Sequence, residues 1–514
     1  MELSSSASGL LLLLVLLAIT VLLFVYPSPD IPSGQKKKKK DPHNPDDDPL
    51  KTYPLVGNLP QFLLNRHRLL DWQTDLLAAS PIDTITVRRP GNIRLVITAN
   101  PLNVEHVLRS NFDNYPKGAR FVSTVQDFLG RGIFNANGEL WRSQRKTASF
   151  EFNTRSLRNF VVENVQREIR ERLLPLLNRA ARAGAVVDLQ DVFERFAFDN
   201  VCRVSFNQDP ACLADEKGDG IEGDKSGGGS SLAAVFALAF EDATSISAGR
   251  FRYTIPGMWQ IKKLLDIGSE RCLRESILTD LLSRFVAGQD NSDEYLRDII
   301  ISFLLAGRET TSSALSWFFW LLSSRPKVER KILDELRSVR AARKGDTGAE
   351  GGKDTFSMEE LKEMHYLHAA ISEAMRLFPP VPINRLACLA DDVLPDGTFV
   401  GEGWFMSYNS YAMGRIPVVW GVDCGQYKPE RWVDDGGHFR QESTFRYPVF
   451  NAGPRTCLGR EMAYIQMKSI AASVLERFAV EVEDGGKHSA KTLSMTLRMK
   501  GGLPVRVRER DGHC

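Results

Sequence analysis

Between Ile299 and Leu322 the chain is apolar almost all round, with Arg308 and Glu309 near the middle of the run. A helix with no polar face has to be enclosed on every side. Two adjacent ionisable groups at the centre of a membrane span would be costly, and turns flank the run, so a helix buried through a large core is expected. With 514 residues and 43% hydrophobic content the chain can enclose one.

The chemistry converges further on, where Cys457 stands between Gly453 and Gly459 just ahead of an apolar-periodic helix. A sulfur there faces unpaired backbone N–H groups and the positive end of a helix dipole, which favour the thiolate, a ligand for iron. Gly453 suits a tight turn, Gly459 a close approach to a flat partner, Phe450 a cover for the sulfur and Arg455 an anionic group. Trp141 and Arg145 stand at i and i+4 on a predicted helix, so indole N–H and guanidinium can point to one carboxylate.

Several function classes are excluded. The formal net charge is only +2 with opposite charges interspersed, which argues against nucleic-acid binding. Seven cysteines (202, 212, 272, 388, 424, 457 and 514) have no CxxC or CxxCH spacing, so no disulfide framework, zinc ribbon or c-type haem site is indicated. A reducing, cytosol-facing domain follows.

Leu10 to Tyr26, extended by Ala7 to Gly9, is an uncharged apolar run about long enough to span a bilayer as a helix. Little positive charge precedes it and Lys36 to Lys40 follow it, which favours a retained anchor over a cleaved signal peptide and keeps the lysines cytosolic. The expected organisation is an anchor over 1–30, a charged Pro-containing linker over 31–52 and one catalytic domain over 53–514. Ile82 to Val87 and Ile93 to Thr98 read as a hairpin about Arg89-Pro-Gly-Asn92. Asn100-Pro101 caps a helix, and the pattern stays helical to Phe378, with strands returning only near Thr398 to Trp404 and at the C-terminus. Asp215 to Ser231 and Lys344 to Asp354 lack any apolar period and read as surface loops.

The segment Phe450-Asn-Ala-Gly453-Pro-Arg455-Thr-Cys457-Leu-Gly459 resembles, at each fixed position, the Phe-x-x-Gly-x-Arg-x-Cys-x-Gly loop of cytochrome P450, the haem-thiolate monooxygenases. The resemblance implies the P450 fold, mainly α with small β-sheets, a haem b cofactor and Cys457 as the iron ligand. It implies that Trp141 and Arg145 hold a haem propionate, with Arg385 and Arg455 as further partners. Ala306-Gly307-Arg308-Glu309-Thr310-Thr311 resembles the family's oxygen-activation signature, in which an acid precedes a Thr over the iron. Gly307 is expected to leave room for a ligand. The Thr310 hydroxyl can bond back to a carbonyl one turn earlier and loosen the helix, with Glu309 linking it to solvent as a proton route. Glu373-Ala-Met-Arg376, with Arg431 of Pro429-Glu-Arg431-Trp432, resembles the family's buried Glu–Arg–Arg clamp.

Asn65 to Arg68, Phe198 to Asn200, Trp317 to Leu322 and Val393 to Gly397 are similar to the plant microsomal clade of fatty-acid ω-hydroxylases and jasmonoyl-isoleucine oxidases. That likeness implies oxidation at the terminal carbon of jasmonoyl-isoleucine, its 12-hydroxy form or fatty acids. It also implies an NADPH-dependent reductase partner, since the chain has no flavin or nicotinamide fingerprint, and residence in the endoplasmic reticulum membrane. After Ile277 the chain lacks a stretch the family has, so part of the distal roof is expected to be missing. The alternatives are a reductase-independent hydroperoxide isomerase or lyase, against which Glu309-Thr310 speaks, and a catalytically impaired haem-binding paralogue.

Overall fold

The computed structural model describes residues 50–510 apart from 55, 92, 153–154, 207, 215–231, 254–256, 269, 272–292, 344–353 and 484–489. The expected anchor, nearly all of the linker, nearly all of both Gly-rich loops and the junction after Ile277 lie outside the described residues.

The central apolar run forms one continuous helical path, Asp293–Leu304, a wider π-helical turn Leu305–Glu309, and Thr310–Ser323. Its second half is buried at nearly every position. Helices His365–Leu377 and Arg460–Arg477 pack against it, and their facing residues join the same large core. No helix of the described residues is long and apolar enough to cross a membrane. The apolar character of the run is therefore used up in burial within the domain.

The expected hairpin is present: Thr84–Arg89 pairs antiparallel with Ile93–Thr98, Thr84 opposite Thr98 and Arg89 opposite Ile93. The Asn100 side chain accepts the Leu102 N–H at 3.0 Å and caps the helix Pro101–Glu105. The strand expectation holds near Thr398 and at the C-terminus but omits two strands of the main sheet. Ile93–Thr98 pairs in parallel with Phe405–Asn409, which pairs antiparallel with Ile383–Ala387, completing a four-stranded sheet. Strands therefore resume at Ile383, earlier than expected; Phe399–Val400, paired antiparallel with Asp392–Val393, falls within the expected Thr398 to Trp404, and the longer strand Phe405–Asn409 follows it. A further short strand, Val186–Asp188, joins the C-terminal strand Pro504–Glu509. These partners are distant in sequence, so local alternation could not reveal them. The fold is mainly helical with small sheets.

Candidate active site

The Cys457 loop is built from two tight turns. Asn451 takes φ +60° and Gly453 φ +62°, and a Cβ on Gly453 would lie 2.0 Å from the Leu108 carbonyl oxygen. Glycine is what allows the loop to press onto the turn His106–Ser110. The Cys457 N–H donates to the Phe450 carbonyl at 2.8 Å, closing the loop just before the helix Arg460–Arg477. Cys457 is exposed in area yet ringed by protein, as suits a residue lining a concave interior. Burial pushes its thiol up from the ordinary value, against the Gly459 N–H, Arg145 and Arg460, which pull it down. The pulls expected from the helix start are thus present, but desolvation outweighs them in the protein alone. A metal cation on the sulfur would reverse that balance.

Around the loop, among the described residues, the cations are short of anions. Arg145 donates from Nη2 to the Thr456 carbonyl at 2.6 Å, next to the cysteine. Arg455 lies over the Trp141 ring at 4.5 Å, and Arg145 approaches the same ring at 5.9 Å. The structure therefore brings Trp141, Arg145, Phe450, Gly453, Arg455, Cys457 and Gly459 together. Arg455 donates from Nη2 to the Ala136 carbonyl and to Asn137 Oδ1, both at 3.1 Å, while its buried Nε has no partner. Burial, with Arg145 adding to it, pushes Arg455 down to about 10.

Sequence reasoning missed Lys117, whose backbone N–H shares Asn137 Oδ1 at 3.0 Å. Burial, then the nearby Arg455, push it down to about 7. Among the described residues no carboxylate pairs with it, and nothing in Tyr115-Pro-Lys-Gly118 signals its role. Arg385 sits on the sheet side, where burial and then Arg89 and Arg120 push it down to about 9, and its guanidinium faces the Phe251 ring at 5.4 Å. Its strand reaches the Lys117 segment through the Ala387 N–H, which donates to the Pro116 carbonyl at 2.8 Å.

On the central helix, Thr310 Oγ1 donates to the Ala306 carbonyl at 2.6 Å, where the π-helical turn meets the next α-helical segment. Gly307 departs from expectation: a Cβ there would lie 2.7 Å from Val201 Cγ2. Its missing side chain admits a neighbouring helix. Glu309 is buried, accepting from Arg308 Nη1 at 3.1 Å and from Thr496 Oγ1 at 2.9 Å, so it has no direct opening to solvent.

Beneath the loop, Glu373 and Arg376 are fully buried and joined by two parallel bonds of 2.7 Å. Glu373 also accepts from Trp432 Nε1 at 2.8 Å and from the Lys428 N–H at 2.9 Å, and Arg431 Nε lies 3.3 Å from it. Arg376 donates onward to the carbonyls of Gly414, Cys424 and Gln426. The trio fastens the segment 414–432, which leads into the Cys457 loop.

The cytochrome P450 family model matches residues 48–503. Cytochrome P450 CYP94D108 of Paris polyphylla is 50% identical over 475 residues, covering 88% of this chain and 91% of that protein. Cytochrome P450 94B1 of Arabidopsis thaliana is 42% identical over 523 residues, covering 96% and 95%. Cytochrome P450 94C1 of the same plant is 45% identical over 470 residues, covering 86% and 90%. The family works with a thiolate-ligated haem. A cysteine at a helix start beside Arg145 and Arg455, in a chain matched over nearly its whole length, belongs to a cytochrome P450 monooxygenase of the CYP94 family.

Proposed function

We propose that this chain oxidises the terminal carbon of an amphipathic acyl substrate, jasmonoyl-isoleucine or its 12-hydroxy form and, secondarily, fatty acids. The observation that carries the site assignment is the set of cations about Cys457 with no carboxylate partner among the described residues: Arg145, Arg455 and Lys117, with Arg385 on the sheet side. Buried unpaired cations are costly and fit a ligand that brings its own acid groups. The residues present therefore fit a haem: Cys457 would hold its iron, Trp141, Arg145, Arg455, Lys117 and Arg385 would be candidate holders of its acid groups, and Phe450 lies beside the sulfur. When bound, that group supplies the binding and reductive activation of dioxygen.

The chain's own residues supply position and protons. Thr310 takes up the Ala306 carbonyl inside the widened turn, holding a hydroxyl where a proton can be passed on. Glu309, next in the chain, is the acid of that relay. Glu373, Arg376 and Arg431 brace the loop from below. Electrons come from an NADPH-dependent reductase, and residues 1–30 anchor the chain once in the endoplasmic reticulum membrane with residues 53–514 in the cytosol. The apolar run Leu10 to Tyr26 followed by Lys36 to Lys40 supports that topology.

The substrate rests on the likeness of segments such as Phe198 to Asn200 and Trp317 to Leu322. A reductase-coupled screen of jasmonoyl-isoleucine, its 12-hydroxy form and medium to long fatty acids, read by mass, tests it. Terminal-carbon products from the hormone conjugate are expected. Turnover confined to fatty acids would reject the hormone assignment, and turnover of hydroperoxides without NADPH would reject the monooxygenase reading.

A further inference from the structure

Behind the widened turn, charged side chains from several elements meet, and the reading above uses only one of them. Arg308 donates from Nη1 to Glu309 at 3.1 Å and from Nη2 to Glu194 at 3.2 Å, so one guanidinium holds both carboxylates. Glu194 belongs to the helix Leu189–Phe206 and also accepts from Arg498 Nη2 at 2.5 Å. Arg498, on the strand Leu497–Met499, donates from Nη1 to Glu241 of the helix Leu232–Gly249. Glu241 Oε2 lies 3.8 Å from Arg308, and its side chain is 34% exposed, whereas those of Glu194 and Glu309 are 7% and 3% exposed.

Three carboxylates thus share two guanidiniums. Among the described residues of this cluster the acids therefore outnumber the guanidiniums by one, at largely buried positions. Such a cluster favours keeping one proton on one carboxylate. Glu194 is the best placed to hold it, because it is buried and flanked by Glu309 and Glu241, which together outweigh the pull of the two arginines toward the carboxylate. Burial pushes its carboxyl up to about 7 despite Arg498 and Arg308, with Glu309 and Glu241 adding to the rise. The Cys212 thiol, also near Arg308, is pushed up by burial and remains neutral.

We propose that Glu194 is the proton store serving Glu309, refilled from solvent by way of Glu241. The inference rests on the reading of Glu309 as the acid of the relay. In the transfer, the O–H bond of the Glu194 carboxyl breaks and an O–H bond forms on the Glu309 carboxylate. Glu194 is left as a carboxylate paired with Arg308 and Arg498, and a proton from solvent then restores it. No electrons move. Arg308 and Arg498 only hold the carboxylates near each other, and Glu194 acts through Glu309 as a positioning residue.

The test uses the full-length haem-loaded enzyme and infrared titration of its protonated carboxyl groups, together with product formed per NADPH across pH. A carboxylic-acid band lost as pH rises through about 7 is expected in the wild type. Glu194→Gln should lack it, and Glu194→Asp should restore it in part. Product per NADPH should fall across the same window in the wild type and stay low and flat in Glu194→Gln. Glu241→Gln, changed at a partly exposed site, should move the band's loss to lower pH by removing a like charge. A wild type with no such band, a band that survives Glu194→Gln, or a titration unmoved by Glu241→Gln would overturn the proposal. Failure of the relay reading would show instead as normal coupling in Thr310→Ala with the infrared titration unchanged.

Discussion

Glu373→Ala would remove the acceptor of two Arg376 bonds, the Trp432 indole N–H and the Lys428 N–H, at a position with no exposed surface. Leaving one partner of a buried ion pair uncompensated costs roughly 3–5 kcal/mol. Each stranded N–H adds about 1–3 kcal/mol, less whatever water entering the small void recovers. Arg376 would keep its bonds to the carbonyls of Gly414, Cys424 and Gln426, which limits the loss. A net cost of about 4–6 kcal/mol is expected, a large share of the roughly 5–15 kcal/mol available to a folded domain. The assay is urea unfolding followed by far-UV circular dichroism for Glu373→Ala, Arg376→Ala and the double variant. Because the second change removes the charge stranded by the first, the double variant should cost at least about 2 kcal/mol less than the sum of the singles. A single variant within about 1 kcal/mol of wild type, or strict additivity, would refute the clamp's contribution.

Gly307→Ala should destabilise the domain by about 1–3 kcal/mol through overlap with Val201, and Val201→Ala should recover much of that loss. Equal stability of the single variant would return Gly307 to a purely ligand-facing role. Thr310→Ala loses the hydroxyl that bonds to Ala306, so hydrogen peroxide per NADPH should rise and product fall with haem content unchanged; unchanged product per NADPH would place the relay elsewhere. Glu194 binds its proton more tightly folded than unfolded, so its stability contribution is complete below about pH 4.5 and is lost as pH rises through about 7. The urea midpoint of the wild type should therefore fall across that window more steeply than that of Glu194→Gln, and parallel profiles would reject the shift.

The features legible in the sequence were those written in local pattern. The apolar run Ile299 to Leu322, the hairpin about Pro90-Gly91 and the cap at Asn100 need only neighbouring residues to be read. Trp141, Arg145 and Arg455 could be nominated because their spacing carries chemistry, and the structure gathers them about Cys457. What stayed hidden depends on contacts between distant segments. Lys117 is notable only because burial and Arg455 surround it, and Glu194 only because Arg308 and Arg498 meet there from other elements. Gly307 looked like space for a ligand because the residue facing it, Val201, is distant in sequence. The strands Ile383–Ala387 and Phe405–Asn409 went unread for the same reason, since Phe405–Asn409 takes the distant Ile93–Thr98 as its parallel partner.

Cys457 as the sulfur that would hold the haem iron is the claim on which the rest of the site depends, and the absorption spectrum of the reduced, carbon-monoxide-bound protein tests it most directly. The wild type should give the band characteristic of thiolate-ligated haem. Cys457→Ala should fold and lose that band, while Cys202→Ala, Cys212→Ala, Cys388→Ala and Cys424→Ala, changed at the other described cysteines, should keep it. A folded Cys457→Ala protein that retained the thiolate band would contradict the assignment.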